Sequence, residues 1–101
     1  MRLLGLKQYK LKTGIYEKDD ELNDVLVGYE PIGTIQANIQ PCKGVVKAQL
    51  YGKEITKYLS VIMHPNPLVE EGLFIEHEGV HYEIQTISKW KHWSFDMKAV
   101  V

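Results

Sequence analysis

One cysteine in 101 residues is the first scarcity, and it excludes an internal disulfide. The lone thiol, Cys42, fits a reducing compartment and sits beside a turn with no base near it in sequence, so it lacks the signature of an activated nucleophile. Long hydrophobic runs are also missing. No stretch approaches the length of a membrane span, and Met1-Arg2-Leu3-Leu4-Gly5-Leu6-Lys7 is too short in its apolar run for a signal peptide. A soluble, cytoplasmically made chain with no membrane partner is expected. An excess of one charge is absent as well: 12 Lys and Arg stand against 13 Asp and Glu, for a net charge of −1. Such a balance gives no broad basic footprint for gripping phosphates. No phosphate-cradling glycine loop, internal repeat or nucleophile motif is visible, so neither an enzyme nor a cofactor is expected. Acidic pairs such as Asp19-Asp20 and Glu70-Glu71 fall in loop-like sequence, where carboxylates are usually solvated.

What is present includes one string with two incompatible readings. His77-Glu78-Gly79-Val80-His81 matches His-Glu-x-x-His, which binds zinc only on a helix, where residues i and i+4 share a face. Strand-like sequence flanks it instead. Leu73-Phe74-Ile75-Glu76 precedes it and Tyr82-Glu83-Ile84-Gln85-Thr86-Ile87 follows, with Glu78-Gly79 as a two-residue turn. In that hairpin His77 pairs with Val80 and His81 with Glu76, so the two imidazoles point to opposite faces and cannot share an ion. No metal site is expected.

The rest of the chain reads as short strands. Leu4 to Lys12 alternates weakly, and Thr13-Gly14 interrupts it. Glu17 to Asp24, with Asp19, Asp20 and Glu21 at its centre, reads as an acidic loop. From Gly28 to Gln40, Ile35, Ala37 and Ile39 alternate with Gln36, Asn38 and Gln40; Pro31 implies an edge or bulge, and Pro41 ends the run. Val45 to Tyr51 is the one plausible helix, with Gly52 as its stop; it is too short to be stable alone. Ile55 to Met63 is a further strand, stopped by His64-Pro65-Asn66-Pro67. Trp90 to Val101 carries the strongest period of two, with Trp93, Phe95, Met97, Ala99 and Val101 on one face. About six strands with one short helix argue for a single mainly β domain over residues 1–101, a small antiparallel barrel or sandwich. Tyr82, Trp90, Trp93 and Phe95 are read as core in preference to a base-stacking platform.

The order of these elements resembles the head–tail joining proteins of tailed bacteriophages, also called head-closure or stopper proteins. The likeness runs from Leu6 to about Val101. It rests on the acidic loop Asp19-Asp20-Glu21, the Ala-centred strand Gly33-Thr34-Ile35-Gln36-Ala37-Asn38-Ile39-Gln40-Pro41, the small helix, the strand Tyr58-Leu59-Ser60-Val61-Ile62-Met63, and the hairpin from Leu73 to Ile84. The chain departs from the family pattern at Ile35, where many members have Trp, and at Met63-His64, where many have Arg.

The resemblance implies a non-enzymatic virion protein, made in the host cytoplasm and placed at the head–tail interface of a phage or prophage. Monomeric in isolation, it would form a homo-oligomeric ring between the portal or adaptor ring and the tail proteins. That ring would close the DNA-filled head without sequence-specific contact to the double-stranded DNA in its channel. Within it the segment from Pro41 to Glu54 would face the channel or a neighbouring subunit, through Lys43, Lys47, Gln49, Tyr51 and Glu54. A tail-terminator or tail-completion role is the neighbouring alternative. The rival from another class is an OB-like single-strand nucleic-acid binder that uses Lys89, Trp90, Lys91, His92 and Trp93.

Overall fold

The computed structural model describes residues 5–42 and 45–100. Six antiparallel strands, β1 (Lys7–Lys18), β2 (Asp24–Pro41), β3 (Tyr58–Met63), β4 (Phe74–His77), β5 (Val80–Lys89) and β6 (Trp93–Ala99), close into a barrel in the order β1-β2-β3-β6-β5-β4. Closure follows from the pairing of β1 with β4, Lys10 to Lys12 against Glu76 to Phe74, which removes the edges that a sheet this small would leave open. The barrel is filled rather than hollow. Leu11, Ile35, Ala37, Val61, Met63, Ile75, Ile84, Ile87, Phe95 and Met97 project inward, and Val69 enters from the β3–β4 connection. The inward residues of β2, β3 and β6 are the alternating apolar positions of the sequence, because the period of two sends every second side chain to the core.

The β4–β5 hairpin has the expected register, with His77 opposite Val80 and Glu76 opposite His81. Its two turn residues, Glu78 and Gly79, have φ of 51° and 79°, the doubly positive geometry of a tight hairpin turn whose twist matches the strands. The two histidines therefore lie on opposite faces of the sheet.

The first two strands are longer than their sequence suggests. Thr13-Gly14 does not interrupt β1, which runs on to Lys18, and β2 begins at Asp24 rather than Gly28. Beyond the barrel wall they form a two-stranded arm, paired from Thr13–Glu30 out to Lys18–Asp24. Gly14 is closely packed: a Cβ there would come within 2.9 Å of Leu26 Cδ1 and of the Tyr16 ring, so those side chains would have to shift. The arm bends at two bulges. Gly33 and Pro31 face consecutive residues Leu11 and Lys12, so Ile32 is the extra residue of the first. Gly28 and Leu26 face Ile15 and Tyr16, so Val27 is that of the second. The first is the irregularity that Pro31 implies.

The bend brings the arm onto the outside of its own barrel. Phe74 points outward, yet is only 1% exposed, because Tyr29 packs edge-on against it at 5.0 Å. Tyr16 and Leu26 line the same depression as Phe74, Glu83 and Val100. The opposite face of the arm is bare, with Ile15, Val25 and the bulged Val27 each more than 40% exposed.

The second excursion joins β2 to β3. Helix α1 (Val45–Tyr51) coincides with the expected one and stops at Gly52, whose φ of +58° suits a residue without Cβ. A 3-10 turn from Gly52 to Lys57 then occupies the place where the strand was expected to begin at Ile55.

Candidate functional site

Helix α1 has seven residues and cannot hold itself together. It is pinned to the outer face of the barrel by a polar network centred on Asp96 of β6. Lys47 and Tyr51, one helical turn apart and so on one face, both donate to Asp96 Oδ2. The other carboxylate oxygen, Oδ1, accepts from Ser60 Oγ of β3 at 3.0 Å. Ser60 and Asp96 are direct cross-strand partners, so the sheet itself sets their spacing. Cys42, just beyond Pro41, places its Sγ 3.1 Å from Ser60 Oγ and 3.7 Å from Asp96 Oδ1. The Tyr51 ring stacks on Tyr58 with centroids 3.7 Å apart. Beyond the helix, Glu54 pairs with Lys98 of β6 at 3.5 Å. Leu50, by contrast, is 67% exposed and plugs no barrel opening.

The electrostatics follow from this geometry. Burial pushes the Asp96 carboxyl upward, but the hydrogen bonds from Lys47, Tyr51 and Ser60 outweigh it and hold Asp96 below the usual carboxylate range. Burial, together with the Asp96 hydrogen bond, drives the Tyr51 hydroxyl far above its ordinary value, so it stays a donor. Burial also raises the Cys42 thiol. A protonated thiol beside a carboxylate is a poor nucleophile, and the contacts of this cluster anchor α1 to the sheet.

A second cluster staples the base of the arm. Lys12 Nζ lies 3.3 Å from Glu76 Oε1 and 3.1 Å from His81 Nε2. With lysine as donor, Nε2 accepts, which selects the neutral imidazole. Burial, and then the Lys12 charge, hold the His81 pKa below its ordinary value in agreement with that pairing. The Tyr29 ring stacks on His81 with centroids 3.7 Å apart and planes 2° from parallel. His81, on β5, thus helps hold the arm against the barrel. Across the hairpin, His77 packs against Tyr9 and Tyr82 on the other face.

Of the residues expected to face a channel or a neighbour, Lys47 and Tyr51 meet at Asp96, Glu54 lies alongside them on Lys98, and Gln49 is exposed. Lys43 lies outside the described residues. In the acidic loop Asp19 has a structural task. Its Oδ1 accepts from the backbone N–H groups of Glu21 and Asn23, both at 2.9 Å, and so builds the tip of the arm. Asp20 and Glu21 are exposed there. Of the four aromatics read as core, Phe95 is core and Tyr82 and Trp93 pack against it, but Trp90 is not: it stands 84% exposed on the β5–β6 turn, where no strand covers it. Sequence reasoning missed Asp96, Ser60, Lys12 and His81 as partners of these segments. The available signal was modest: Asp96 and Lys98 occupy the outward phase of the most regular strand.

No protein-family model matches the chain, and no curated protein matches it in sequence. Among solved structures, the solution structure of protein SF1141 from Shigella flexneri 2a is similar over 98% of this chain and 96% of that one. Its TM-score is 0.65 at 12% sequence identity, a likeness of fold alone.

Proposed function

We propose that the protein is a structural component of the head–tail connector of a tailed bacteriophage, assembling as a ring that closes the DNA-filled head and receives the tail. The observation that carries this reading is the apolar face left over on the arm. The barrel completes its core from its own strands and Val69, yet Ile15, Val25 and Val27 remain uncovered on an element that folding of the barrel does not need exposed. Exposed apolar side chains gathered on one element are the kind of surface that assembly can cover. The tethered α1 segment supports the same reading. It is fixed by a few polar contacts, and its outer residues Gln49 and Leu50 are turned away from the barrel toward whatever lies beside it.

The test is to delete the coding sequence in the producing phage and to purify its particles. The expected result is DNA-filled heads that leak or lack tails, with the protein present in complete virions and absent from heads that have not packaged DNA. Infectious, fully tailed particles made without the protein would remove the connector reading. Tails of uncontrolled length beside sealed heads would favour the tail-terminator role instead.

A further inference from the structure

We infer that neighbouring copies of this chain meet head to tail, the tip of the β1–β2 arm of one copy seating on the β5–β6 turn of the next. This rests on the ring reading above and names the contact that would build the ring.

The two loops are complementary halves of one interface. At the arm tip, Leu22 is 76% exposed and has a φ of 64°, a left-handed conformation that a residue with a Cβ rarely adopts. Asp19 holds that turn, so the apolar side chain is presented outward rather than left loose. Glu17, Asp20 and Glu21 are exposed on the same tip, where Asp24 is paired with Lys18 at 2.7 Å. At the β5–β6 turn, Trp90 is the most exposed large apolar side chain among the described residues, at 84%. Lys89 and Lys91 flank it, and the sequence from Lys89 to His92 contains no acid. Lys89 Nζ lies 4.7 Å from the ring centroid of Trp93 at the start of β6, which fixes its charge at the base of the turn. An apolar knob in an acidic rim thus faces an aromatic in a basic rim, the pattern of an apolar centre with a charged periphery.

Within one chain the halves do not satisfy each other. Among the described residues, the ion pairs join Lys18 to Asp24 within the arm, and none joins the arm tip to the β5–β6 turn. Two different patches on one molecule make a heterologous contact, the kind that closes into rings when the rotation allows. Backbone strand addition along the arm is disfavoured, since Pro31 and the bulges at Ile32 and Val27 break up its edge, so the contact is made by side chains. Such a patch is well below the roughly 800 Å² per partner of a stable complex, which makes it weak between two free copies and effective only when many are held together. Single-stranded nucleic acid is the less suitable occupant of the Trp90 turn. It would need successive exposed aromatics, and Trp93 and Tyr82 pack against the core.

Two blocked variants test the contact. One carries Asp20→Asn, Glu21→Gln and Leu22→Gly and keeps Asp19; the other carries Lys89→Gln, Trp90→Ser and Lys91→Gln. Each retains one functional half, so a mixture can form a pair that cannot grow further. Isotope-labelled turn variant is titrated with unlabelled tip variant at low salt, up to about millimolar, the range of weak association. The expected result is saturable chemical-shift changes confined to residues 17–24 of the labelled chain, absent when either variant is mixed with itself. Raising the salt to about 0.5 M should weaken the affinity roughly tenfold through screening. No change in the mixture, or changes spread away from the arm tip, would overturn the inference. So would an oligonucleotide that binds the Lys89–Lys91 turn of the wild-type chain when no self-association is seen there. Failure here with the protein present in virions removes this contact and leaves the connector reading standing. Success here with the protein absent from virions does the reverse.

Discussion

Asp96 is the residue on which the α1 segment depends. It accepts from Lys47, Tyr51 and Ser60 with a side chain only 11% exposed, so removing it leaves Lys47 and Tyr51 without their acceptor on the barrel wall and Ser60 with only Cys42. Asp96→Ala should cost roughly 1–3 kcal/mol, the scale of hydrogen bonds to a charged group, and the loss should be local. Hydrogen exchange should quicken across Val45 to Tyr51 while Val80 to Ile87 keeps its protection; uniform acceleration of both would show instead that Asp96 supports the whole barrel. The sign of the acid response follows. The folded state depresses the Asp96 pKa, so this stabilisation is fully present above the ordinary carboxylate value of about 3.9 and is lost as the pH falls through the lower native value.

His81 acts at a higher pH. Burial and Lys12 lower its pKa, so the native state resists protonation that the unfolded chain accepts near pH 6.5. Stability is therefore complete above that value and declines as the pH falls from it toward the native pKa. An imidazolium there would face the Lys12 ammonium at the position where it now accepts. Melting at pH 7.5 and at pH 5.5 should differ by more in the wild type than in His81→Phe, which keeps a ring for Tyr29 and has nothing to titrate. Equal pH dependence in the two would remove His81 as the source.

At the scale of elements, the β4–β5 hairpin, α1 and β6 were legible because their signals are local. A two-residue turn, a short stripe closed by Gly52 and a clean period of two each lie within a dozen residues. Glu78 offers a direct check of the turn. It occupies a left-handed position that asparagine tolerates far better, so Glu78→Asn should stabilise the protein by about 0.5–1 kcal/mol. A neutral or destabilising result in denaturant titration would mean that Glu78 has a compensating contact.

The arm was not legible, for the opposite reason. Gly14 looks like a breaker, and only the pairing of β1 with β2 and the close packing of Tyr16 and Leu26 over it show that the strand continues there. Glu17 and Lys18 carry no strand signal of their own and are held by pairing with Val25 and Asp24. Similarly, Ile55 reads as strand, but the 3-10 turn follows from Gly52 and from the position of β3 against β6. The candidate site was half legible. Lys47 and Tyr51 were recognisable as polar contacts on a helix that must dock. Their acceptor, Asp96, is 49 and 45 residues away, and only the register of β3 on β6 brings it there.

At the scale of the whole molecule, what stabilises the fold and what is left exposed on the arm are separate sets of residues. Leu11 and Met97 are fully buried inside the barrel, and truncating either to Ala should cost about 2–5 kcal/mol through lost transfer energy and the cavity left behind. Ile15, Val25 and Val27 lie on the bare face of the arm, where Ala removes little buried surface, so each change should fall within roughly 0.5 kcal/mol of neutral. The free chain should remain monomeric at micromolar concentration in light scattering, because the exposed strip and the two tip loops are each too small for a stable interface. If the strip is an assembly surface, the triple variant Ile15→Ala, Val25→Ala, Val27→Ala should melt within a few degrees of the wild type and still fail to enter virions. Loss of stability comparable to Met97→Ala would make the strip part of the fold. Normal incorporation of the triple variant into virions would show that the apolar face has no part in assembly, and the strip would then be an ordinary feature of a protein surface.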